Sequence, residues 1–346
     1  MHFDHGTIPV EYRRYIGTKI LFVAATGVVL CISLVLAISF GASDIPISSV
    51  TKSLVGMAGS KRIDAIVWNI RLPQALTAIT AGAGLAVAGA VMQSILCNPL
   101  GSPFTLGISH AAAFGAALSV MVLDYDITSS SLITPFLAFL FSLGAAGLII
   151  AVARIRGATP ETMVLTGVAL GALFTSGTMF LQYFADDVQL AAMVYWTFGD
   201  TARATWTELG WITAATIGCT LYFLANSWNY NAIDAGDETA EGLGVRVKRV
   251  RMIGMLLASM LTAIIISFLG IIGFVGLVVP HMVRRVIGSD HRFLLPASVF
   301  TGGLLLLLSD TAARLILAPH VLPVSVLTAF LGAPVFFILI IKGGRK

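Results

Sequence analysis

The sequence predicts an all-α membrane protein of about ten transmembrane helices. Hydrophobic residues make up 57% of its 346 positions and charged residues only 11%, whereas a typical soluble domain is roughly 45–50% apolar and about 25% charged. A surface so poor in charge must meet lipid rather than water. Apolar runs of roughly bilayer-spanning length account for most of the chain. We therefore interpret residues 1–346 as a single transmembrane domain.

The apolar runs are separated by short polar or glycine-rich segments. The first run follows basic residues and is too long for the core of a signal peptide, so it is expected to remain as a helix. Between the seventh and eighth runs, only Gly270 and Gly273 offer a break. An aromatic, more polar piece at 188–200 is expected to be an interfacial helix. The runs span residues 20–40, 66–95, 104–123, 132–153, 162–184, 205–225, 251–270, 271–283, 293–317 and 322–341.

The distribution of basic residues predicts the orientation. With the N-terminus placed in the cytoplasm, fifteen of the 21 Lys and Arg residues fall near the inner face and five near the outer face, while Arg314 lies within the ninth run. Cytoplasmic segments of membrane proteins carry an excess of Lys and Arg. Both termini are therefore expected inside, and the number of crossings is expected to be even.

Two inner connections are unusually polar or rich in Pro and Gly. Residues 98–103 contain two prolines and a glycine, which end one helix and begin another; they form either an ordinary tight loop or a constriction at the inner mouth of a pathway. The loop 232–250 is acidic at its start and basic at its end, which suits a short helix. Ala240 and Leu243 give that helix a small apolar face. The loop is either a solvated connection or a docking site for a soluble partner.

One acid and one base lie four residues apart in the ninth run. Asp310 precedes Arg314 in the order that favours an intrahelical pair, and ionisable residues in a membrane tend to pair or to line a wet cavity. The two residues therefore form a structural ion pair or belong to an outer docking site.

Several kinds of chemistry lack their sequence signals. The chain has no Gly-x-x-x-x-Gly-Lys-[Ser/Thr] phosphate loop and no His-Glu-x-x-His pair. It also has no set of intramembrane acids suited to a proton relay. Cys31, Cys97 and Cys219 are dispersed and are interpreted as packing residues. We expect no catalytic residues, no metal site and no cofactor, and the basic residues report topology rather than a nucleic-acid partner.

A series of short motifs runs in order through most of the chain after residue 60. The motifs are Arg71-Leu72-Pro73, Gly89-Ala90-Val91-Met92-Gln93, Asn98-Pro99-Leu100, Leu106-Gly107, Gly167-Val168-Ala169-Leu170-Gly171, Trp196, Ala240-x-x-Leu243-Gly244-Val245, Gly273-Phe274-Val275-Gly276-Leu277, Pro280-His281, Arg284, Asp290-His291-Arg292, Asp310, Arg314, Leu322-Pro323 and Gly332-Ala333-Pro334. In this order they resemble the permease subunits of the iron-siderophore, haem and cobalamin class of ABC importers.

The resemblance implies the type II importer permease fold, with ten helices in each subunit and a pathway between the two subunits of a homodimer. It also implies two copies of a cytoplasmic ATP-binding subunit and an extracytoplasmic substrate-binding protein. The ATPase is expected to bind the loop after the sixth helix. The residues carried over for that docking loop are Gly236, Glu238, Ala240, Leu243 and Gly244.

Two further sites follow from the same resemblance. Asn98 and Leu100 correspond to an inner gate, and Thr159 to Glu161 lie near the facing gate segment. Arg71 and Arg314 match outer arginines that receive acidic residues of the binding protein. Gln74 stands where the family often has a second arginine.

The sequence thus predicts a multi-pass permease of the inner, or cytoplasmic, membrane that moves a bulky metal chelate by alternating access, with ATP hydrolysis on a separate subunit. A ferric siderophore is the first choice of cargo, and cobalamin or haem the second. An ion-coupled secondary carrier is the alternative from another class, and a membrane enzyme is the third.

Overall fold

The structure is a computed structural model that describes residues 10–41, 45–57, 60–122 and 132–343. Within these ranges the chain forms fifteen α-helices, one π-helical turn at Val67–Arg71 and one 3-10 turn at Thr201–Arg203. The α-helices are α1 Val10–Ser39, α2 Ile47–Leu54, α3 Lys61–Ile66, α4 Leu72–Ile95, α5 Ile108–Val122, α6 Ile133–Arg156, α7 Pro160–Phe184, α8 Asp187–Thr197, α9 Trp206–Ala225, α10 Ser227–Asp234, α11 Asp237–Gly242, α12 Val247–Leu269, α13 Val275–Ile287, α14 His291–Leu315 and α15 Val324–Gly343.

Each predicted apolar run coincides with a long or medium helix, which confirms the all-α, multi-pass fold. Seven helices in the described part of the chain are long and apolar enough to cross a bilayer, the second of them continuous from Lys61 to Ile95. Two further apolar segments are shorter, namely α5 and the Val324–Val335 part of α15. The 13 residues of α13 span only about 20 Å at 1.5 Å per residue, less than the ~30 Å hydrocarbon core.

The predicted break between the seventh and eighth runs is present. α12 ends at Leu269, and α13 begins at Val275. Gly270 takes a left-handed φ of +77°, a conformation that costs glycine little because it has no Cβ. Phe274, which precedes α13, is also left-handed at φ 66°. The interfacial piece forms the separate helix α8, which begins with a capping box between Asp186 and Gln189.

The helix α4 forms the centre of the bundle and packs against α14, α12, α13 and α9. Its contacts depend on small residues, because a Cβ added at Gly89 would collide with the carbonyl group of Gly276 and one at Gly82 with that of Gly302. Lipid tails are as apolar as the side chains, so close backbone approach contributes much of the attraction between helices in a membrane.

The helix α7, unlike α4, is mostly exposed. Only 11% of its most apolar window is buried in the chain, against 83% for the span that contains α4. Large apolar side chains such as Leu165, Leu173 and Phe180 are exposed along it. This surface is suited to contact with lipid or with another apolar protein face.

We expect Gly89→Ala to destabilise the fold, because the added methyl group has no space against the backbone of Gly276. Overpacking of this kind costs about 1–3 kcal/mol. Thermal unfolding of the purified protein in detergent should show a clear fall in Tm.

The matched control is Gly144→Ala in α6, where an added Cβ meets no heavy atom within 4 Å. It should leave Tm unchanged or raise it slightly, because alanine is the better helix former. Equal Tm values for the two variants would show that the contact between α4 and α13 is not close-packed.

Candidate functional site

The loop between α9 and α12 folds into two short helices, α10 and α11. Gly236 precedes α11 with φ +107°, and Gly244 follows it with φ +85°, so both ends of α11 use backbone conformations that favour glycine. Asp237 and Glu238 occupy the first turn, where carboxylates interact favourably with the helix dipole. The predicted helix within 232–250 is therefore present.

The two apolar residues of this helix point to different environments. Ala240 is fully buried and packs with Ile233 and Val247 of the same chain, whereas Leu243 is 70% exposed. Ala240 therefore fixes α11 onto α10 and α12. Leu243 is the apolar side chain that a partner can reach.

The predicted inner-gate residues lie on two separate connections. Asn98 follows α4, and its Oδ1 atom accepts a hydrogen bond from the backbone N–H of Leu100 at 2.9 Å. Thr159 is the N-cap of α7 and accepts a hydrogen bond from the backbone N–H of Thr162 at 3.3 Å. Glu161 occupies the first turn of α7. Leu100, Thr159 and Glu161 are exposed.

One buried arginine joins these connections to α11. The side chain of Arg251, in the second turn of α12, donates from Nε to the carbonyl oxygen of Ile95 at 2.6 Å and from Nη1 to that of Ala158 at 3.2 Å. Its Nη2 atom lies 2.9 Å from Oδ1 of Asp237, the first residue of α11. Arg251 therefore contacts the end of α4, the turn before α7 and the first residue of α11 at once.

Sequence reasoning counted Arg251 only as one of the inner basic residues. The available signal was a charged residue within the seventh apolar run, because such a residue needs a partner. Asp237, fourteen residues earlier, was one of several candidate acids in a polar loop that already stood out. The two carbonyl partners have no sequence signal.

A second polar cluster lies beside α4 on the same face. The Ser94 hydroxyl lies 2.9 Å from Nε2 of His291, and Nδ1 of His291 lies 3.0 Å from Oδ1 of Asn231. Asp290 caps α14. Burial disfavours its charged form, but hydrogen bonds from Arg292 and Asn231 prevail and lower the pKa of Asp290 to about 2. This cluster fixes α10 against the ends of α4 and α14.

At the opposite end of α4, the two predicted docking arginines meet at the C-terminus of α1. Arg71 is 6% exposed, and its Nη1 atom donates to the carbonyl oxygens of Ile38 and Ser39 at 2.7 and 2.9 Å. Arg314 donates to the carbonyl oxygen of Ala37 at 3.4 Å. Both cations therefore bind carbonyl groups at the C-terminal end of a helix, where the helix dipole is negative.

Asp310 completes this cluster. It pairs with Nε of Arg314 at 3.1 Å, as the four-residue spacing predicted. It also accepts hydrogen bonds from the Gln74 amide at 3.1 Å and from the Thr201 hydroxyl. Gln74, which stands where the family often has a second arginine, is therefore a neutral donor to the carboxylate of Asp310.

A mainly apolar cavity of about 200 Å³ lies between α4, α12 and the two irregular segments at 102–107 and 270–274. Phe104 and Phe274 contribute to its wall, together with the buried hydroxyl groups of Ser109 and Thr262. Among the described residues, no group of three or more His, Cys, Asp or Glu side chains could hold a metal ion.

These features define a multi-pass membrane protein with a short, largely exposed helix in the loop between α10 and α12. Residues 29–342 match the FecCD transport family, and the chain belongs to this family. A chain of Methanocaldococcus jannaschii, provisionally assigned as an ABC transporter permease protein, is 50% identical over 97% of this chain and 98% of its own length. A hemin transport system permease protein of Yersinia pestis is 36% identical over 80% of this chain and 83% of its own length.

The fold agrees with a solved structure of a metal-chelate type ABC transporter in an inward-facing conformation. The TM-score is 0.82 at 29% sequence identity, with 92% of this chain and 98% of the other covered. The chain is thus a permease subunit of an ABC importer for metal chelates.

Proposed function

We propose that this permease imports a ferric siderophore by alternating access, driven by ATP hydrolysis on a separate cytoplasmic subunit. The observation that carries the proposal is the exposed Leu243 at the end of α11, on a helix that Ala240 holds firmly against the bundle. A rigid helix with one exposed apolar side chain is suited to insertion into a partner's pocket. The chain itself has no phosphate-loop motif.

In this proposal, the docking surface for the ATPase consists of α11 and its flanks, with Gly236, Glu238, Leu243 and Gly244 on the exposed side. This surface is acidic at Glu238 and basic in the segment that follows α11. A partner with complementary charges would therefore be held in one orientation. Two copies of the ATPase would bind a permease homodimer. The exposed apolar face of α7 supports the dimer, because a large apolar face is typical of protein contact.

A substrate-binding protein would dock on the outer face, where Arg71 and Arg314 lie. Their side chains are mostly buried and engaged with α1, so their contribution to an acidic partner would be through the local positive potential and the remaining exposed edge of Arg314. Lys52, Lys61 and Arg62 are exposed in α2 and α3 nearby in the chain and add to that potential.

The choice of a chelate rests on the relatives and on the pathway. Other relatives of the chain are named for ferric citrate and cobalamin import. The cavity beside the 102–107 segment is mainly apolar, which suits a cargo recognised through shape more than through fixed charged ligands. Cobalamin and haem remain the second choices. The location proposed for the complex is the cytoplasmic membrane, with both termini inside.

The test of the whole proposal is reconstitution in liposomes. The permease alone should hydrolyse no ATP and import no ferric siderophore, and uptake should require the ATPase, the binding protein and ATP. Native mass spectrometry of the complex should give two permease copies. Siderophore uptake driven by an ion gradient with the permease alone would identify a secondary carrier instead. Uptake of cobalamin or haem in preference to the siderophore would show that the proposed cargo is wrong.

Leu243→Asp should weaken association with the ATPase at least about tenfold, because a carboxylate would have to be desolvated in the interface. Its Tm should match the wild type, since the side chain is exposed. The contrasting variant is Ala240→Asp, which should lower Tm because the same group is then buried within the permease. Normal assembly by a stable Leu243→Asp permease would exclude α11 as the docking helix.

Arg71→Glu combined with Arg314→Glu should weaken the binding-protein complex, and raised salt should weaken the wild-type complex. Because both arginines cap α1, the double variant should also lower Tm. The affinity for the binding protein and the Tm are therefore measured on the same variant. The control is Lys52→Glu combined with Lys61→Glu, which reverses two exposed charges. Unchanged affinity in the double arginine variant would leave these residues with the capping role alone.

A further inference from the structure

The contacts made by Arg251 have no role in the function proposed above. Its side chain is almost fully buried, and its guanidinium group reaches three elements: the end of α4, the turn between α6 and α7, and the first residue of α11. Arginine carries five donors in a rigid planar fork, so it can hold several acceptors at once where a lysine ammonium cannot keep the same geometry.

The backbone at both carbonyl contacts is unusual. Cys97, two residues after Ile95, has φ 46°, and Ala158 has φ 57°. Left-handed conformations are uncommon for residues other than glycine, and they persist where the surroundings determine them. The donors of Arg251 provide such surroundings, because they bind Ile95 and Ala158 directly.

These two strained positions immediately precede the predicted gate residues. Cys97 comes before Asn98, and Ala158 comes before Thr159. The third acceptor, the carboxylate of Asp237, belongs to the helix proposed to dock on the ATPase. A movement of α11 therefore changes the position of Asp237 relative to the same guanidinium group that fixes both gate segments.

We propose that Arg251 is the positioning residue that couples the docking helix α11 to the two inner gate segments. This inference rests on the proposed function, since it takes α11 to be the site of ATPase docking. A buried arginine cannot lose its partners without a large desolvation penalty. When α11 moves, the guanidinium group must follow Asp237 or exchange partners, and either change alters the hydrogen bonds that hold the backbone before Asn98 and Thr159.

The test uses the assembled complex of permease, ATPase and binding protein in liposomes, with Arg251→Lys and Asp237→Asn as the variants. Arg251→Lys keeps the positive charge but loses the planar set of guanidinium donors. Asp237→Asn removes the negative charge of that side chain and leaves both carbonyl contacts of Arg251 in place. Arg154→Lys is the matched control, because Arg154 is exposed in the last turn of α6. Siderophore uptake, ATP hydrolysis, ATPase association and Tm are measured for each variant.

Coupling energies between sites typically correspond to about 5–150-fold, and we expect Arg251→Lys to lower uptake about tenfold on that scale. ATP hydrolysis and ATPase association should stay within about twofold of wild type, so that hydrolysis continues without transport. Asp237→Asn should shift the ratio of uptake to hydrolysis in the same direction, and Arg154→Lys should leave it unchanged.

Two results would overturn the inference. In the first, Arg251→Lys and Asp237→Asn keep the wild-type ratio of uptake to hydrolysis. In the second, uptake, hydrolysis, association and Tm fall together, which would give Arg251 a purely structural role. Failure of the proposed function is recognised separately, because the wild-type permease would then import siderophore without the ATPase or not import it in the complete complex.

Discussion

Close contact between the backbones of α4 and its neighbours is the constraint on which the rest of the structure depends. No side chain fits between Gly89 and Gly276 or between Gly82 and Gly302. In a bilayer such contacts replace the hydrophobic force that holds soluble cores together. They fix α4 as a rigid axis, and each end of that axis carries a polar cluster.

In both clusters, arginine side chains bind backbone carbonyl groups and pair with a carboxylate. At the N-terminal end of α4, Arg71 and Arg314 bind the carbonyl groups that end α1, and Asp310 receives donors from three other residues. At the C-terminal end of α4, the cation of Arg251 is shared between two carbonyl groups and one carboxylate. Buried charges require such complete partnering, so each charge links several helices that are distant in sequence.

Much of the fold could be predicted because membrane helices are determined locally. Apolar runs and the break at Gly270 correspond to the helices of the structure, and the pairing of Asp310 with Arg314 follows from the geometry of one helix. The orientation of individual side chains depends on partners elsewhere in the chain. Ala240 and Leu243 share a face by spacing, yet Val247 and Ile233 cover only Ala240. The resemblance assigned Arg71 to a docking site, and no local pattern reveals that its side chain also binds carbonyl groups of α1. No local pattern reveals that Ile95 and Ala158 meet at Arg251.

The capping of α1 has a consequence for biogenesis. The first helix leaves the ribosome before the residues that satisfy its last carbonyl groups exist, and the bond from Arg314 to Ala37 joins positions 277 residues apart. Only 17% of the most apolar window of α1 is buried in the bundle, and α14 is the helix against which α1 packs most extensively. During synthesis from the N-terminus, α1 therefore enters the bilayer as a nearly independent helix. Its final position is fixed when α14, the penultimate membrane helix, reaches it.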